Sequence, residues 1–438
     1  MMAIWAGFQT VDITPPVGAE LAGYEERDHG SEGIANPLYA RAMVVSNGKT
    51  KVCLVTSDLV GIDWQITKYV RGKVSRLTDI PEDHIMLTAS HTHSGPNASR
   101  LSGWSAVKRT KRPTEAEKAY FLNLCESIAG AILAANRKLA PAKIGVETGH
   151  LKGLGCNRRD PNGPFDDRVT VLKVTGENGH VRGILVNYTC HPTVLSASNY
   201  LISGDYPSFT QESLTRVYPG CTPMFLQGAA GDVSTRHTRR GSTFEEARRM
   251  GELLAGKAIA LASAARESDD DRLCAAVREI TLPVRKFPPD DVCQAMLREA
   301  RENLKRLRES GAPENLVRTA EVTLQGAERA ILLKDLLGDQ DIVTEMQALR
   351  IGPFVVVGVP AELFNEIGKE IKDSTDRATV VIAGYANDYV GYILTPDVYG
   401  EQGYEAGVTF TGVDAGEIIA KVGKEMVQDL VSDESSSW

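Results

Sequence analysis

The sequence predicts an α/β fold, a large body of mixed β-sheets flanked by helices, and three observations carry that expectation. Short apolar runs of strand length, rich in Val, Ile and Thr, recur between residues 7 and 385. Runs with helical spacing alternate with them, at 63–77, 115–139 and 244–263. Several apolar runs stop abruptly at polar, small-residue turns, and ligand sites in α/β architectures gather at such strand ends.

The totals are compatible with this. A chain of 438 residues exceeds one minimal domain but suits one large body with an excursion. An apolar fraction of 42% with 24% charged residues is that of a soluble globular protein. Net charge is −8 and no Lys/Arg tract interleaves with aromatics, so nucleic acid is not an expected partner. The first ten residues lack a basic region followed by an apolar one, and no apolar run approaches about 20 residues. Neither a signal peptide nor stable membrane insertion is expected. Seven scattered cysteines without a Cys-x-x-Cys read as free thiols in a reducing compartment, which makes the cytoplasm the expected location.

In chain order, residues 7–13 form an entry strand stopped by Thr14-Pro15-Pro16, and 39–46 and 52–57 pair across the hairpin-type turn Asn47-Gly48. Asp58 closes the second of these, either as a partner for a metal-bound histidine or as an ordinary strand-end aspartate. Helices follow at 63–77 and 115–139. Between them the segment 99–112, with Lys108, Arg109, Lys111 and Arg112, is a basic loop, either solvated or a rim to the site. Strands resume at 142–148, 169–175, 181–188 and 223–226, and a helix at 244–263. Residues 290–337 differ in kind. Two charged, Leu-spaced helical runs separated by Ser310-Gly311-Ala312-Pro313 read as an αα-hairpin arm that covers a pocket, mediates self-association into a homo-oligomer, or is inert surface. A strand pair around Gly352-Pro353, a helix opening at Pro360 and running to Lys372, and a core strand at 378–385 complete the body. The Ser-rich tail 432–438 is expected to be frayed.

The strand-end turns carry the chemistry. The run 84–89 leads into Ser90-His91-Thr92-His93-Ser94-Gly95-Pro96. In extended backbone alternate side chains share a face, so both imidazoles are expected to point the same way, and imidazole suits Zn²⁺. His-x-His alone fits two polar loop histidines equally well. The run 181–188 leads into Cys190-His191-Pro192, and 223–226 into Gly228-Ala229-Ala230-Gly231-Asp232-Val233-Ser234. The strand 378–385 leads into the turn Asn387 to Tyr392. Glu362, near the start of the helix opening at Pro360, reads as a helix N-terminal charge, and Tyr392 as a half-buried strand tyrosine.

Taken together and in this order, the His91–Pro96, Cys190–Pro192, Gly231–Ser234, Pro360–Glu362 and Tyr389–Pro396 motifs resemble the neutral/alkaline (non-lysosomal) ceramidase family, catalytic N-terminal domain. The opening Gly7 to Thr14 is similar to that family's start. The resemblance implies one hydrolase domain over 1–431, with 290–337 as an inserted arm; the family's additional C-terminal immunoglobulin-like domain is not expected here, a departure from the family. It implies a Zn²⁺ held by His91, His191, Glu362 and Tyr392. It places Ser234 where the family carries a proposed nucleophile, Asp232 in the same turn, and His93, Arg158 and Tyr404 around the scissile amide. No dedicated base for Ser234 is evident, so metal-activated water is the expected attacking group. After Asp-Val-Ser this chain continues Thr235-Arg236-His237 where the family usually has Pro-Asn, and Arg236, Arg239 and Arg240 add positive charge. The expected activity is zinc-dependent cleavage of a linear amide in a small or polar substrate. An esterase, lactonase or deacetylase acting on a polar metabolite is the alternative. A true lipid ceramidase or a silent metal-binding protein is less expected.

Overall fold

The structure, a computed structural model, describes residues 4–96, 114–336, 340–401 and 403–432. Two sheets lie face to face with helices on both outer sides. The larger runs in the order Thr222–Gln227, Val181–Tyr188, Arg168–Gly176, Ala140–His150, Ile4–Asp12, Tyr39–Ser46, Lys51–Ser57 and Ile85–Ala89, with Glu267–Ser268 added beside Ala140–His150. The smaller runs Leu273–Leu282, Ile342–Ile351, Phe354–Gly358 and Thr379–Ala383. Both mix parallel and antiparallel pairs, as the mixed α/β class requires.

The period-2 alternation of strands builds these layers. In Tyr39–Ser46, Ala40, Ala42 and Val44 pack beneath the helices Trp64–Leu77 and Glu115–Arg137, whereas Met43 and Val45 face the second sheet. In Phe354–Gly358, Phe354 and Val356 face the larger sheet. Val355 and Val357 pack beneath the helices Asn365–Lys372 and Ala415–Val431. The helices Asp205–Val217 and Phe244–Ala264 cover the remaining half of the larger sheet. Asp63 caps the helix Trp64–Leu77 by accepting from the Gln65 and Ile66 N–H groups, and Thr114 and Glu117 form a capping box on Glu115–Arg137. By length and composition alone that second helix could cross a membrane; here its apolar residues Leu124, Ile128 and Ile132 are spent on the sheet. The seven cysteines are unpaired.

Two differences from the sequence expectations matter. The helix expected from Pro360 begins at Asn365, because Glu362–Leu363 first forms a two-residue strand beside Tyr392–Ile393. The Glu362 and Phe364 N–H groups donate to the Gly391 and Ile393 carbonyls. Glu362 is therefore a strand residue and not a helix N-terminal charge. The helices Asp205–Val217 and Ala415–Val431 and the strand Leu273–Leu282 are elements the sequence reading does not foresee. The basic loop 99–112 lies outside the described residues.

The arm forms as expected, from the helices Asp290–Glu309 and Glu314–Leu336. It lies against the short helix Tyr404–Val408. A Cβ on Gly326 would come within 2.6 Å of the Gly403 carbonyl oxygen, so the two backbones meet directly. A cavity of about 160 Å³ remains between arm and body, lined in part by Val292, Met296, Ala330 and Ala406.

Candidate metal centre

The strand Ile85–Ala89 delivers His91, but not in extended backbone. His91 has φ +67°, the left-handed region that side-chain-bearing residues seldom adopt. The expectation that His91 and His93 share a face because the chain is extended is thus corrected: they converge because the chain turns sharply at His91. The surroundings hold that turn. The His91 N–H donates to the Leu59 carbonyl at 2.8 Å, and the Tyr385 ring stacks on the imidazole at 3.9 Å and 16°. Tyr385 and Asn387 also have positive φ, +57° and +62°. Asn387 is tied to Leu87 twice, donating its N–H to the Leu87 carbonyl and accepting the Leu87 N–H on its side-chain oxygen, each at 2.9 Å. Backbone strain of this kind persists only where neighbours over-determine it, and it clusters at functional sites.

His91 Nδ1 lies 2.6 Å from the Val60 carbonyl. His191 Nδ1 lies 2.6 Å from that of Ala230 and 3.1 Å from that of Val233. A carbonyl can only accept, so each Nδ1 carries a proton, and in the neutral ring Nε2 then presents a lone pair. Those lone pairs face a carboxylate. Glu362 Oε2 is 3.1 Å from His191 Nε2 and 3.4 Å from His91 Nε2. His93 Nε2 is 3.1 Å from His91 Nε2, and the three imidazoles offer ligand atoms within 4.8 Å of one another. A proton can reconcile one such pair of acceptors; a divalent cation reconciles the whole group, and nitrogen with carboxylate oxygen is a set that zinc accepts. Burial, with Arg158 nearby, pulls His191 down to about 4. Burial and its histidine neighbours hold His93 well below the usual imidazole range. Burial alone would raise Glu362, but His91 and His191 outweigh it and keep the carboxyl well below its ordinary value. Neutral His93 and His191 near an anionic Glu362 are protonation states that suit a cation.

The other residues named from sequence fall into three groups. Tyr392, Arg158 and Tyr404 form a second wall. Tyr392 sits beside Glu362 in register, and its hydroxyl accepts from Arg158 Nη2 at 3.0 Å. Arg158 Nε donates to Glu405 at 2.6 Å, and the Tyr404 ring stands edge-on to Tyr392 at 6.0 Å. Burial raises the Tyr392 phenol well above its usual value, with Arg158 opposing, so it stays protonated at neutral pH. Ser234 is buried next to His191 across a parallel bridge, and its Oγ accepts the Arg236 N–H at 3.2 Å. Among the described residues no histidine hydrogen-bonds to that Oγ.

Asp232 is different. Its carboxylate accepts from the Asn365 N–H at 2.8 Å and from the side-chain amides of Asn157 and Asn365 at 3.0 and 2.5 Å. It braces the turn that carries Ser234 and has no contact with the imidazoles. Asp58 likewise binds Arg41 at 3.0 Å and the Tyr39 N–H, not a histidine ring.

With this geometry in view, the comparisons with known proteins are decisive. The family model for neutral/alkaline non-lysosomal ceramidase, N-terminal, matches residues 5–238 and 334–418. The chain belongs to this family. It is 26% identical to the neutral ceramidase of Pseudomonas aeruginosa over 93% of this chain and 69% of that one. It is 24% identical to the neutral ceramidase of Mycobacterium tuberculosis over 90% and 71%. In fold it is similar to a ceramidase complexed with C2, with a TM-score of 0.76 at 20% identity covering all of this chain and 77% of the other. The crystal structure of the Pseudomonas aeruginosa neutral ceramidase gives 0.74 at 21%, over 100% and 76%. The chain is thus a ceramidase-family hydrolase with a histidine cluster able to hold a metal ion.

Four residues of the site escape the sequence reading. The Tyr389 hydroxyl donates to Glu362 Oε1, opposite the oxygen that faces the histidines. Tyr385 stacks on His91, Glu405 balances Arg158, and Arg27 donates to the His93 carbonyl at 2.7 Å. For the tyrosines a signal existed: three of them, 385, 389 and 392, fall within eight residues just past a core strand.

Proposed function

We propose that the chain hydrolyses a linear N-acyl amide using a zinc ion held by His91, His191 and Glu362, with Tyr392 at the fourth position. The observation that carries this reading is the confrontation of two imidazole lone pairs with one Glu362 oxygen, which a bound cation resolves. A zinc ion there would polarise the amide carbonyl and acidify an attacking water. The chain's own residues do the rest. Tyr389 fixes one oxygen of Glu362 and leaves the other toward His191 and His91, where it would hold a bound ion. His93, neutral and next to His91, is placed to take the proton from water and return it to the departing amine. Arg158, held by Glu405, orients the Tyr392 hydroxyl, and Tyr404 closes that wall. Among the described residues no base hydrogen-bonds to Ser234 Oγ, which favours water as the attacking group and leaves the serine hydroxyl to hydrogen-bond substrate. The relatives' names, neutral ceramidase, support a lipid N-acyl amide over the small polar substrate expected from sequence.

The test uses purified protein. Elemental analysis should find one equivalent of zinc, and hydrolysis of a ceramide should stop with a chelator and return with zinc. His191→Ala should lose both metal and activity, the latter by roughly 10³-fold, the rate equivalent of several kcal/mol of Lewis-acid stabilisation. Full activity in metal-free protein, or in the variant, would sink the reading.

A further inference from the structure

The turn 232–239 is laced onto Arg158. The Arg158 N–H donates to the Asp232 carbonyl at 2.7 Å, and a His237 ring nitrogen lies 3.2 Å from the Arg158 carbonyl. Arg236 rides on this turn two residues beyond Ser234, its N–H bonded to Ser234 Oγ. Its guanidinium feels the charges of Arg158, Arg318 and Arg239, and that of the Glu405 carboxylate. Glu405 is already committed, at 2.6 Å to Arg158 and 3.2 Å to Arg159. The neighbouring cations have partners of their own: Arg239 donates to the Thr193 and Val194 carbonyls, and Arg318 pairs with Glu26 and Glu321. Arg27 donates to the Ala22 and His93 carbonyls. Among the described residues the Arg236 guanidinium has neither a hydrogen bond nor an ion pair.

An unpaired, half-buried guanidinium among like charges is a ready receptor for a planar anion. Burial, with Arg158 beside it, lowers Arg236 to about 10, so it remains a cation at neutral pH. We infer that Arg236 binds a carboxylate carried by the substrate, and that the preferred substrate is an N-acyl amino acid. This rests on the hydrolase reading above. A lipid acyl chain offers no second anion, so the anion belongs to the amine half. An α-carboxylate stands next to the scissile nitrogen, and Arg236 stands next to the Ser234 turn. Arg236 is thus a specificity-determining residue.

The experiment compares N-lauroylglycine with N-lauroylethanolamine, which differ at one carboxylate, on the zinc-loaded full chain. The native protein should favour the glycine conjugate in kcat/KM by roughly 30- to 100-fold, the scale of a desolvated charge pair. R236Q should reduce that ratio to about threefold or less, and R236K should keep part of it because the charge remains. Calorimetric binding of N-lauroylglycine to chelator-treated protein should weaken about tenfold or more in R236Q, a readout independent of turnover. Melting temperatures confirm that each variant folds. Equal losses on both conjugates in R236Q would make Arg236 part of the amide-polarising apparatus and overturn the inference. So would native preference for the ethanolamide, or for N-lauroyl phosphoethanolamine over the glycine conjugate. If ceramide is cleaved and N-lauroylglycine is not, this inference fails and the hydrolase reading stands. If no N-acyl amide is cleaved with zinc present, the hydrolase reading itself has failed.

Discussion

The site has two sides held by different forces. On one, His191 and Glu362 are almost completely buried, and their partners are the Ala230 carbonyl and the Tyr389 hydroxyl. On the other, the arm helix Glu314–Leu336 reaches the segment beside His93 through Arg318–Glu26 and Arg329–Glu25, ion pairs whose side chains are 21–37% exposed. That segment is in turn locked to the histidine, since the Tyr24 ring meets His93 edge-on at 5.0 Å. Buried polar contacts break at full desolvation cost, whereas exposed ion pairs are worth about 0–1 kcal/mol and are screened by salt. The donor cluster should therefore behave as a rigid unit, and the arm as a separable one.

The sharpest probe of the rigid side is Tyr389→Phe. The ring and its packing remain, but one Glu362 oxygen loses its donor and the carboxylate gains freedom to rotate away from His191 and His91. Zinc affinity should fall by roughly 10- to 100-fold, the usual cost of losing a partner that orients a ligand. Competition against a calibrated chelator measures it, with Tyr392→Phe as comparison for the proposed fourth position. An unchanged affinity in Tyr389→Phe would show that Glu362 needs no such support.

A smaller effect is expected where the two sides meet. Gly326→Ala would push a methyl to within 2.6 Å of the Gly403 carbonyl oxygen and 3.0 Å of the Tyr404 Cα, both backbone atoms that cannot rotate aside. Overpacking of this kind costs about 1–3 kcal/mol, while alanine's better helix propensity returns up to about 1 kcal/mol. The arm should loosen, and kcat should fall through Tyr404 with zinc content unchanged. A variant that loses zinc as well would join the two sides into one unit and break the comparison.

Much of this was legible from residues alone, and the rest was not for definite reasons. Strands with apolar faces on both sides announce themselves as runs, and the histidines, Glu362 and Tyr392 stand at the ends of such runs. The left-handed turn at His91 is invisible because it is imposed by tertiary contacts, Tyr385 stacking and the Asn387–Leu87 pair, and not by a glycine. The sequence places Asp232 in the Ser234 turn; only the folded chain shows Asn157 and Asn365 taking up its carboxylate. The strand Leu273–Leu282 carries Arg278 and Glu279 at its middle and half-exposed residues over much of its length, so its alternation is weak. The arm, by contrast, is read correctly because local helical spacing and the Gly311 break require no long-range partner.

The smallest expected effect tests the separable side directly. Burial would raise Glu26, but the Arg318 hydrogen bond and charge outweigh it, so its carboxyl titrates below the ordinary value. A depressed carboxyl contributes stability that is present above the unfolded value, near 4.3, and is lost as pH falls through the folded one. Lowering pH below about 4.5, or raising salt, should therefore increase hydrogen exchange along 314–336 before it affects the strands 85–89 and 181–188. Glu25→Gln with Glu26→Gln should mimic that loosening at neutral pH and low salt, costing about 0.2–1 kcal/mol per pair. Because the two glutamates lie between Tyr24 and Arg27, which grip His93, the same variant should raise KM more than it lowers kcat. If exchange in the arm and in the histidine-bearing strands rose together, the charged contacts would be holding the metal site as well, and the division into two sides would not stand.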